Sequence, residues 1–266
     1  MQDFPANSFT KPGYMLEWND EFEGDELDTT KWLPYYLPQW SSRKQSAPRY
    51  TYREGTLVLQ ISEDQQPWCP EFDGQVKASC IQTGVFAGPT GSPFGQLRFN
   101  PNLVVREPQI NVQLYTPQYG YFECRAKAIA TRGNHVSLYM IGYEDTPERC
   151  GEINMFEIFG KDVGPTSAKV CYGIHPWADP DLTDEFYQDT LEIDATAFHI
   201  YSYEWTPTHI DFFVDNQQIR RIYQSPHYPM QFMLSIYELP GGDVNAQYPR
   251  EFVVDYVRVY QPKGGY

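Results

Sequence analysis

The sequence lacks the features that mark membrane-spanning, zinc-binding and nucleic-acid-binding proteins. It has no run of about 18 apolar residues, so no membrane helix is indicated. It has no Cys-x-x-Cys pair, which disfavours a zinc or thioredoxin-type site. Lys and Arg number 20 against 35 Asp and Glu, and the net charge of −15 disfavours nucleic acid and anionic membranes as partners. A neutral ligand, a cation or plain solubility is compatible with this charge.

Cysteine is scarce, and its pattern is only weak evidence for export. Cys69 and Cys80 are close enough in the sequence to close a short loop in an oxidising compartment. The other three are Cys124, Cys150 and Cys171, and the odd count leaves at least one thiol free unless it pairs between chains. No signal peptide is visible at Met1, so a removed signal and a cytoplasmic protein both fit this start.

Helical patterns are also missing, and short strand-like runs take their place. Several runs alternate apolar and polar residues with period two, Pro or Gly separates most of them, and 22 prolines oppose long helices. The runs are 56–62, 111–116, 121–130, 135–143, 169–175, 199–205, 209–215, 231–237 and 252–260. With no linker or repeat visible, we predict one all-β domain over residues 1–266, a sandwich of two antiparallel sheets.

Aromatic residues are abundant, at 16% of the chain with 21 Tyr. Aromatic surfaces are typical of sugar-binding clefts, but aromatic residues also favour strands, so both interpretations stay open.

The stretch GEINMFEIFG at 151–160 places Glu152 and Glu157 around the amide Asn154. On a flat strand Glu152 and Asn154 share a face and Glu157 lies on the other. A β-bulge at Met155–Phe156 returns Glu157 to the first face, with Cα atoms about 13 Å apart. Side chains that lean together then approach the ~5–5.5 Å carboxyl separation of a retaining glycosidase. The alternative is a pair of solvated acids on an edge strand.

The segment 152–157 resembles the Glu-x-Asp-x-x-Glu catalytic signature of glycoside hydrolase family 16, in its bulged, laminarinase-like form. Further stretches resemble other strands of that family in the same order along the chain. They are 15–32, 52–61, 119–128, 198–219 and 252–261. The resemblance implies a concanavalin A-like β-jelly roll, a retaining mechanism, a polysaccharide substrate and a secreted protein; we also expect a monomer.

The resemblance assigns the nucleophile to Glu152 and the acid/base to Glu157. Asn154 replaces the middle Asp of the signature, which keeps the shape, adds an NH₂ donor and removes a negative charge beside Glu152. Without that like charge we expect the pKa of Glu152 to be lower. The substitution is either a tolerated variation in an active enzyme or a mark of a cleft that only binds glycan.

Four further residues match cleft positions of the family. His135 and Tyr139 stand where the family has two Trp residues, and the first of those Trp stacks on a sugar near the cleavage point. His135 is either a smaller stacking group or a structural strand residue. His175 matches a family His on the strand after the signature, and Trp177 lies just beyond it.

Trp40 and Arg49 lie in a region that in the family borders the substrate, where Trp stacks and Arg donates to hydroxyls. Both are equally compatible with loop packing. Many family members bind a structural Ca²⁺ away from the cleft, and the matching groups are the backbone at Gly55, the Asp255 carboxylate and a group near Glu21. Asp255 is otherwise a solvated strand residue.

These observations favour an endo-acting retaining glycosidase for β-1,3-glucan or mixed β-1,3-1,4-glucan. A second hypothesis is a glycan-binding protein of the same fold with weakened or lost catalysis. A third is a hydrolase or transglycosylase for another β-linked polysaccharide such as a galactan, which the altered aromatic strand keeps open. The fold by itself would support none of these.

Overall fold

The computed structural model describes residues 2–266, and two antiparallel sheets dominate it. The first half of the chain contributes the strands β1 (Tyr14–Asp20), β2 (Arg49–Arg53), β3 (Thr56–Ile61), β4 (Lys77–Gln82), β5 (Gly84–Val85), β6 (Val112–Gln113) and β7 (Gly120–Lys127). The second half contributes β8 (Asn134–Gly142), β9 (Glu152–Phe159), β10 (Ala168–His175), β11 (Glu185–Leu191), β12 (His199–Trp205), β13 (Ile210–Val214), β14 (Gln217–Ile222), β15 (Met230–Glu238) and β16 (Arg250–Pro262).

Helical structure is limited to short pieces within the described residues. One four-residue α-helix, α1, spans Pro70–Asp73, and 3₁₀ turns span Pro38–Trp40 and Gly160–Asp162. Among residues 2–266, no helix is long and apolar enough to cross a membrane.

The larger sheet has the strand order β14-β13-β12-β7-β16-β3-β2, and β1 also pairs with the C-terminal part of β16. The smaller sheet has the order β11-β10-β9-β8-β15-β4. β5 and β6 form a separate two-stranded ladder. The two packed antiparallel sheets confirm the predicted β-sandwich.

One hydrophobic core lies between the two large sheets. Period-two alternation supplies it, because every second residue of a strand faces the same side. From the smaller sheet it takes residues such as Leu138, Ile153 and Leu234, and from the larger sheet Phe122 and Val257. The intervening residues of β8, β9 and β15 therefore lie on the outer face of the smaller sheet.

A second hydrophobic cluster covers part of that outer face. Loop residues such as Tyr36 and Trp68 pack on Cys80 of β4 and on Met233 and Tyr237 of β15. These strand residues are at most 7% exposed, so the loops close the outer face above β4 and β15.

Two expectations need correction. The strand expected over 111–116 is reduced to Val112–Gln113, because the N–H groups of Leu114 and Tyr115 both donate to the carbonyl of Thr83. All five cysteines are free and buried, so the suggested Cys69–Cys80 disulfide is absent from the structure of residues 2–266.

Candidate active site

The site is built on β9, where the predicted bulge is present. Against β8, Asn154 pairs with Tyr139 and Phe156 pairs with Leu138, so Met155 is the additional residue. The ladder with β10 shifts register at the same place. The bulge brings Glu157 to the outer face with Glu152, and both carboxylates line one cavity of about 270 Å³. Met155 and Phe156 both enter the core below.

Glu152 is buried, and each of its carboxylate oxygens accepts a hydrogen bond. The Nδ2 of Asn154 donates to Oε1 at 2.7 Å, and the Nε1 of Trp177 donates to Oε2 at 2.7 Å. Burial raises the pKa of Glu152, and these two donors together with the charge of His175 act against that rise. The environment therefore contains dedicated donors for the carboxylate form.

Glu157 has a different environment, and its pKa is high. Burial, and then the negative charge of Glu152, raise its pKa to about 8. The two glutamates therefore differ: the Glu152 carboxyl group accepts two hydrogen bonds that favour its carboxylate form, whereas the raised pKa of Glu157, about 8, favours its protonated form at neutral pH. This separation of roles is what acid-assisted glycoside cleavage requires.

Asn154 lies between the two glutamates in the sequence of β9, and its side chain is fully buried. Its Nδ2 serves Glu152, whereas its Oδ1 has no hydrogen-bond partner within residues 2–266. We expected the amide to lower the pKa of Glu152 by removing a like charge. The structure adds a direct donor that acts in the same direction, while burial has the larger, opposite effect.

His135 lines the cleft, but its ring is held between two aromatic rings. Its ring stacks on Phe159 at 4.3 Å between centroids and on Tyr237 at 5.1 Å. Burial lowers its pKa to about 3, so the ring is neutral, with Nε2 3.8 Å from Oε2 of Glu157. Tyr139 is buried too, and its hydroxyl lies 3.0 Å from that of Tyr237. Both residues line the cleft, but neither exposes a broad ring face.

Trp177 and His175 lie on the opposite side of Glu152. Trp177 has a left-handed backbone conformation, with φ 50°. Its ring is 48% exposed at the edge of the cleft, and its indole N–H donates to Glu152. His175 pairs with Glu152 across the β9–β10 ladder. Its Nδ1 lies 2.7 Å from Oδ1 of Asp184, and its ring stacks on Phe186. The structure brings both predicted residues to the site.

Trp40 and Arg49 are not brought to the site, which corrects their proposed substrate contact. Trp40 is fully buried in the loop cluster, where its Nε1 donates to the carbonyl of Gln96 at 2.8 Å. Arg49 lies on β2 of the larger sheet and forms an ion pair with Asp64. Trp40 is therefore a packing residue of the loop cluster, and Arg49 is a surface residue of the larger sheet.

The residues matched to calcium do not form a free oxygen cage. Asp255 pairs with Arg125 at 2.7 Å, and Glu21 pairs with Arg258 at 2.8 Å, while Gly55 occupies the turn between β2 and β3. Guanidinium groups therefore neutralise both carboxylates, which does not fit a divalent cation. Within residues 2–266 no cluster of three or more His, Cys, Asp or Glu side chains has metal-binding geometry. Calcium binding stays a prediction.

Residues that the sequence analysis did not single out as site residues supply most of the cleft wall, and all but Asp73 of α1 and Tyr237 of β15 lie on loops. They are Tyr36, Trp68, Asp73, Val76, Leu97, Phe99, Tyr237 and Leu239. Of these residues, only Tyr237 lay in a predicted strand, the alternating run 231–237. A second cavity of about 730 Å³, called the side cavity below, shares Leu97 and Trp177 with the cleft.

The fold agrees with comparisons to known proteins. The model of glycosyl hydrolases family 16 matches residues 112–258. A solved structure, the GlcNAcα1-4Gal releasing endo-β-galactosidase from Clostridium perfringens, is 34% identical with a TM-score of 0.87, and the match covers 99% of this chain and 67% of that one.

Two curated relatives are more distant. The keratan-sulfate endo-1,4-beta-galactosidase of Sphingobacterium multivorum is 25% identical, over 96% of this chain and 57% of its own length. The glucan endo-1,3-beta-glucosidase A1 of Niallia circulans is 22% identical, over 98% of this chain and 40% of its own length. The chain thus spans about half the length of these curated relatives.

Proposed function

The chain belongs to glycosyl hydrolases family 16, and we propose that it is a retaining, endo-acting glycosidase for a glycan with β-linked galactose. The observation that carries the proposal is the contrast between the two glutamates of β9. Glu152 has two donors that favour its carboxylate, and Glu157 has a pKa raised to about 8. A nucleophile and a proton donor are the two groups that a double displacement needs.

In the first step, Glu152 attacks the anomeric carbon while the bond from that carbon to the leaving oxygen breaks. Glu157 transfers its proton to the leaving oxygen, and a glycosyl ester forms on Glu152. In the second step, the Glu157 carboxylate takes a proton from water, and the water oxygen attacks the anomeric carbon. The ester bond breaks, Glu152 returns as a carboxylate and the β configuration is restored.

Asn154 and Trp177 position the nucleophile in this scheme. Each donates to a different oxygen of Glu152, so the carboxylate plane is fixed before the substrate binds. The negative charge of Glu152 raises the pKa of Glu157, and esterification of Glu152 removes that charge. The pKa of Glu157 therefore falls in the glycosyl-enzyme, where Glu157 must act as a base.

Two observations favour a galactoside over the β-1,3-glucan that the sequence first suggested. Identity with the Clostridium endo-β-galactosidase is 34% over 99% of the chain, against 22% over 98% for the Niallia glucanase. Moreover, the ring of His135 is held between Phe159 and Tyr237, so this position lacks the sugar platform expected of a glucanase Trp.

A panel of polymers tests the proposal. Reducing-end release is measured on keratan sulfate, a GlcNAcα1-4Gal-capped mucin glycan, laminarin and lichenan, with Glu152→Ser as the blank. We expect release from a galactose-containing glycan, loss of release in the blank, and a β anomer as the first product by NMR. Release from laminarin or lichenan instead would restore the glucanase hypothesis. Binding without turnover on all four would support the glycan-binding alternative.

A further inference from the structure

The side cavity is a separate compartment beside the catalytic cleft. Its volume is about 730 Å³, within the range of ligand-binding sites. Its apolar lining includes Phe86, Pro93, Phe94, Leu97, Pro147 and Trp177. Phe94 is 56% exposed and Trp177 is 48% exposed, so two aromatic rings stand open to solvent at one place. Exposed aromatic surface concentrated in a concavity is typical of a binding site.

The side cavity adjoins the catalytic cleft. Trp177 and Leu97 line both the cleft and the side cavity. The indole N–H of Trp177 donates to Glu152, so the Trp177 ring lies between the side cavity and the proposed nucleophile. A glycan bound over Glu152 can therefore place a neighbouring sugar in the side cavity.

The loop that forms one wall is firmly anchored. The Gln96 side chain accepts from the N–H of Phe86 at 2.7 Å and donates to Oε1 of Gln231 at 2.7 Å. The carbonyl of Gln96 accepts from both Trp40 and Gln39. These buried contacts fix the segment 86–97 to β15 and to the loop cluster, so the cavity is preformed.

The polar groups of the cavity are mostly held by hydrogen bonds or ion pairs within the protein. Glu144 is buried, accepts from the N–H of Leu97 at 2.6 Å, and has its pKa raised to about 8 by burial. It is therefore a neutral carboxyl group at pH 7. Asp145 pairs with Arg149, and the Arg98 guanidinium donates to the carbonyls of Leu103 and Pro101. A ligand here meets mostly apolar walls, and its nearest polar groups are the neutral Glu144 carboxyl group and the Arg98 guanidinium.

This chemistry distinguishes an acetamido sugar from a plain hexose. A hexose presents hydroxyls around its ring and needs several polar partners, since each unpaired group that is buried costs free energy. An N-acetylhexosamine adds a methyl group suited to the aromatic and aliphatic wall, and one amide suited to a single neutral carboxyl. Residues 86–98 of this wall precede the segment 112–258 that the family model matches.

We propose that the side cavity is a substrate subsite that selects an N-acetylhexosamine unit next to the cleaved galactoside. The inference rests on the proposed function and adds to it the identity of the neighbouring sugar. Phe86, Phe94 and Leu97 contact the acetamido methyl group, and Glu144 is the polar partner of the acetamido group.

The test uses the inactive Glu152→Gln variant and a matched pair of tetrasaccharides. One alternates galactose with N-acetylglucosamine, and the other alternates galactose with glucose, so the acetamido groups are the difference. Calorimetry should give about tenfold tighter binding of the acetamido form, the discrimination that a small apolar group obtains in a hydrophobic pocket. Adding Phe94→Ala should reduce the preference to about unity. Adding Ile110→Ala, at an 87% exposed loop position outside the cavity, should preserve it.

Three outcomes would overturn the inference: equal affinity of the two tetrasaccharides, no binding of either, or an acetamido preference that Phe94→Ala leaves unchanged. Because binding is measured without turnover, its outcome is independent of hydrolysis. A preserved acetamido preference with no release from any galactose-containing glycan by the wild type would refute the proposed function alone. Release from such a glycan with no acetamido preference would refute the subsite alone.

Discussion

The side-chain amide of Asn154 donates to Oε1 of Glu152 at 2.7 Å, so a residue that departs from the family signature contacts the proposed nucleophile directly. The family position normally holds a carboxyl group, which carries either a negative charge or a titratable proton. An amide keeps its donor at every pH. The proposed nucleophile, Glu152, therefore accepts a hydrogen bond from a partner that does not titrate.

Replacing Asn154 by Asp should move the acidic limb of the kcat/KM profile to higher pH. The substitution preserves the shape but removes the permanent donor and adds a like charge, and both changes raise the pKa of Glu152. Activity at pH 5 should fall about tenfold relative to activity at pH 7. The profile is measured on the polymer that the wild type cleaves, with Asn102→Asp, at an exposed loop position, as the control. An acidic limb at the wild-type position would show that the introduced carboxyl group is protonated and donates as the amide does.

The basic limb should lie near pH 8, where Glu157 loses the proton that it transfers to the leaving group. His135 lies nearby but stays neutral, because burial lowers its pKa to about 3. His135→Phe keeps an aromatic ring between Phe159 and Tyr237 and should leave the basic limb in place. If the basic limb disappears in this variant, the group that titrates near pH 8 is His135 and not Glu157.

The catalytic strand could be predicted from the sequence because the relevant signal is local. Two glutamates five positions apart reach one face of a strand only if an extra residue intervenes, and the bulge at Met155 follows from that count. The alternating runs also marked the central strands. By contrast, β4 and β11 lay in none of the predicted runs or resembling stretches, since neither has a clear apolar alternation: β4 reads KASCIQ and β11 reads EFYQDTL.

The walls of the cleft could not be predicted in the same way. Tyr36, Trp68 and Phe99 lie on loops whose course depends on long-range packing against β4 and β15. The same packing buries Trp40, which the sequence alone could not distinguish from an exposed sugar platform. Aromatic residues on loops serve both purposes, and only the tertiary contacts separate them.

Glu144→Gln should increase stability at pH 8 and have little effect near pH 5. Burial raises the pKa of Glu144 to about 8, against roughly 4.3 in the unfolded chain. Between these values the folded state binds more protons, so its free energy of unfolding falls as pH rises, by up to about 1.4 kcal/mol per pH unit. Gln does not titrate and keeps an acceptor for the N–H of Leu97.

Urea denaturation of the wild type and the variant at both pH values measures this difference. Glu157 titrates in both proteins, so its contribution cancels. The exposed Glu148→Gln is the matched control and should show no pH-dependent gain. An equal effect of Glu144→Gln at pH 5 and pH 8 would mean that Glu144 is charged in the folded protein throughout this range.

His135→Trp should destabilise the protein without creating a glucanase. The His ring fills a narrow space, 4.3 Å from Phe159 and 5.1 Å from Tyr237 between ring centroids. A larger indole must displace one of these rings, and overpacking of this kind typically costs about 1–3 kcal/mol. Denaturation should show that loss, and laminarin hydrolysis should not rise. His135→Gln, which removes the stacking without overpacking, separates the two causes: if it costs as much as His135→Trp, lost stacking and not excess volume explains the instability. A gain of laminarin turnover in the Trp variant would instead show that this single position, and not the surrounding wall of Tyr36, Trp68 and Phe99, decides the sugar that the cleft accepts.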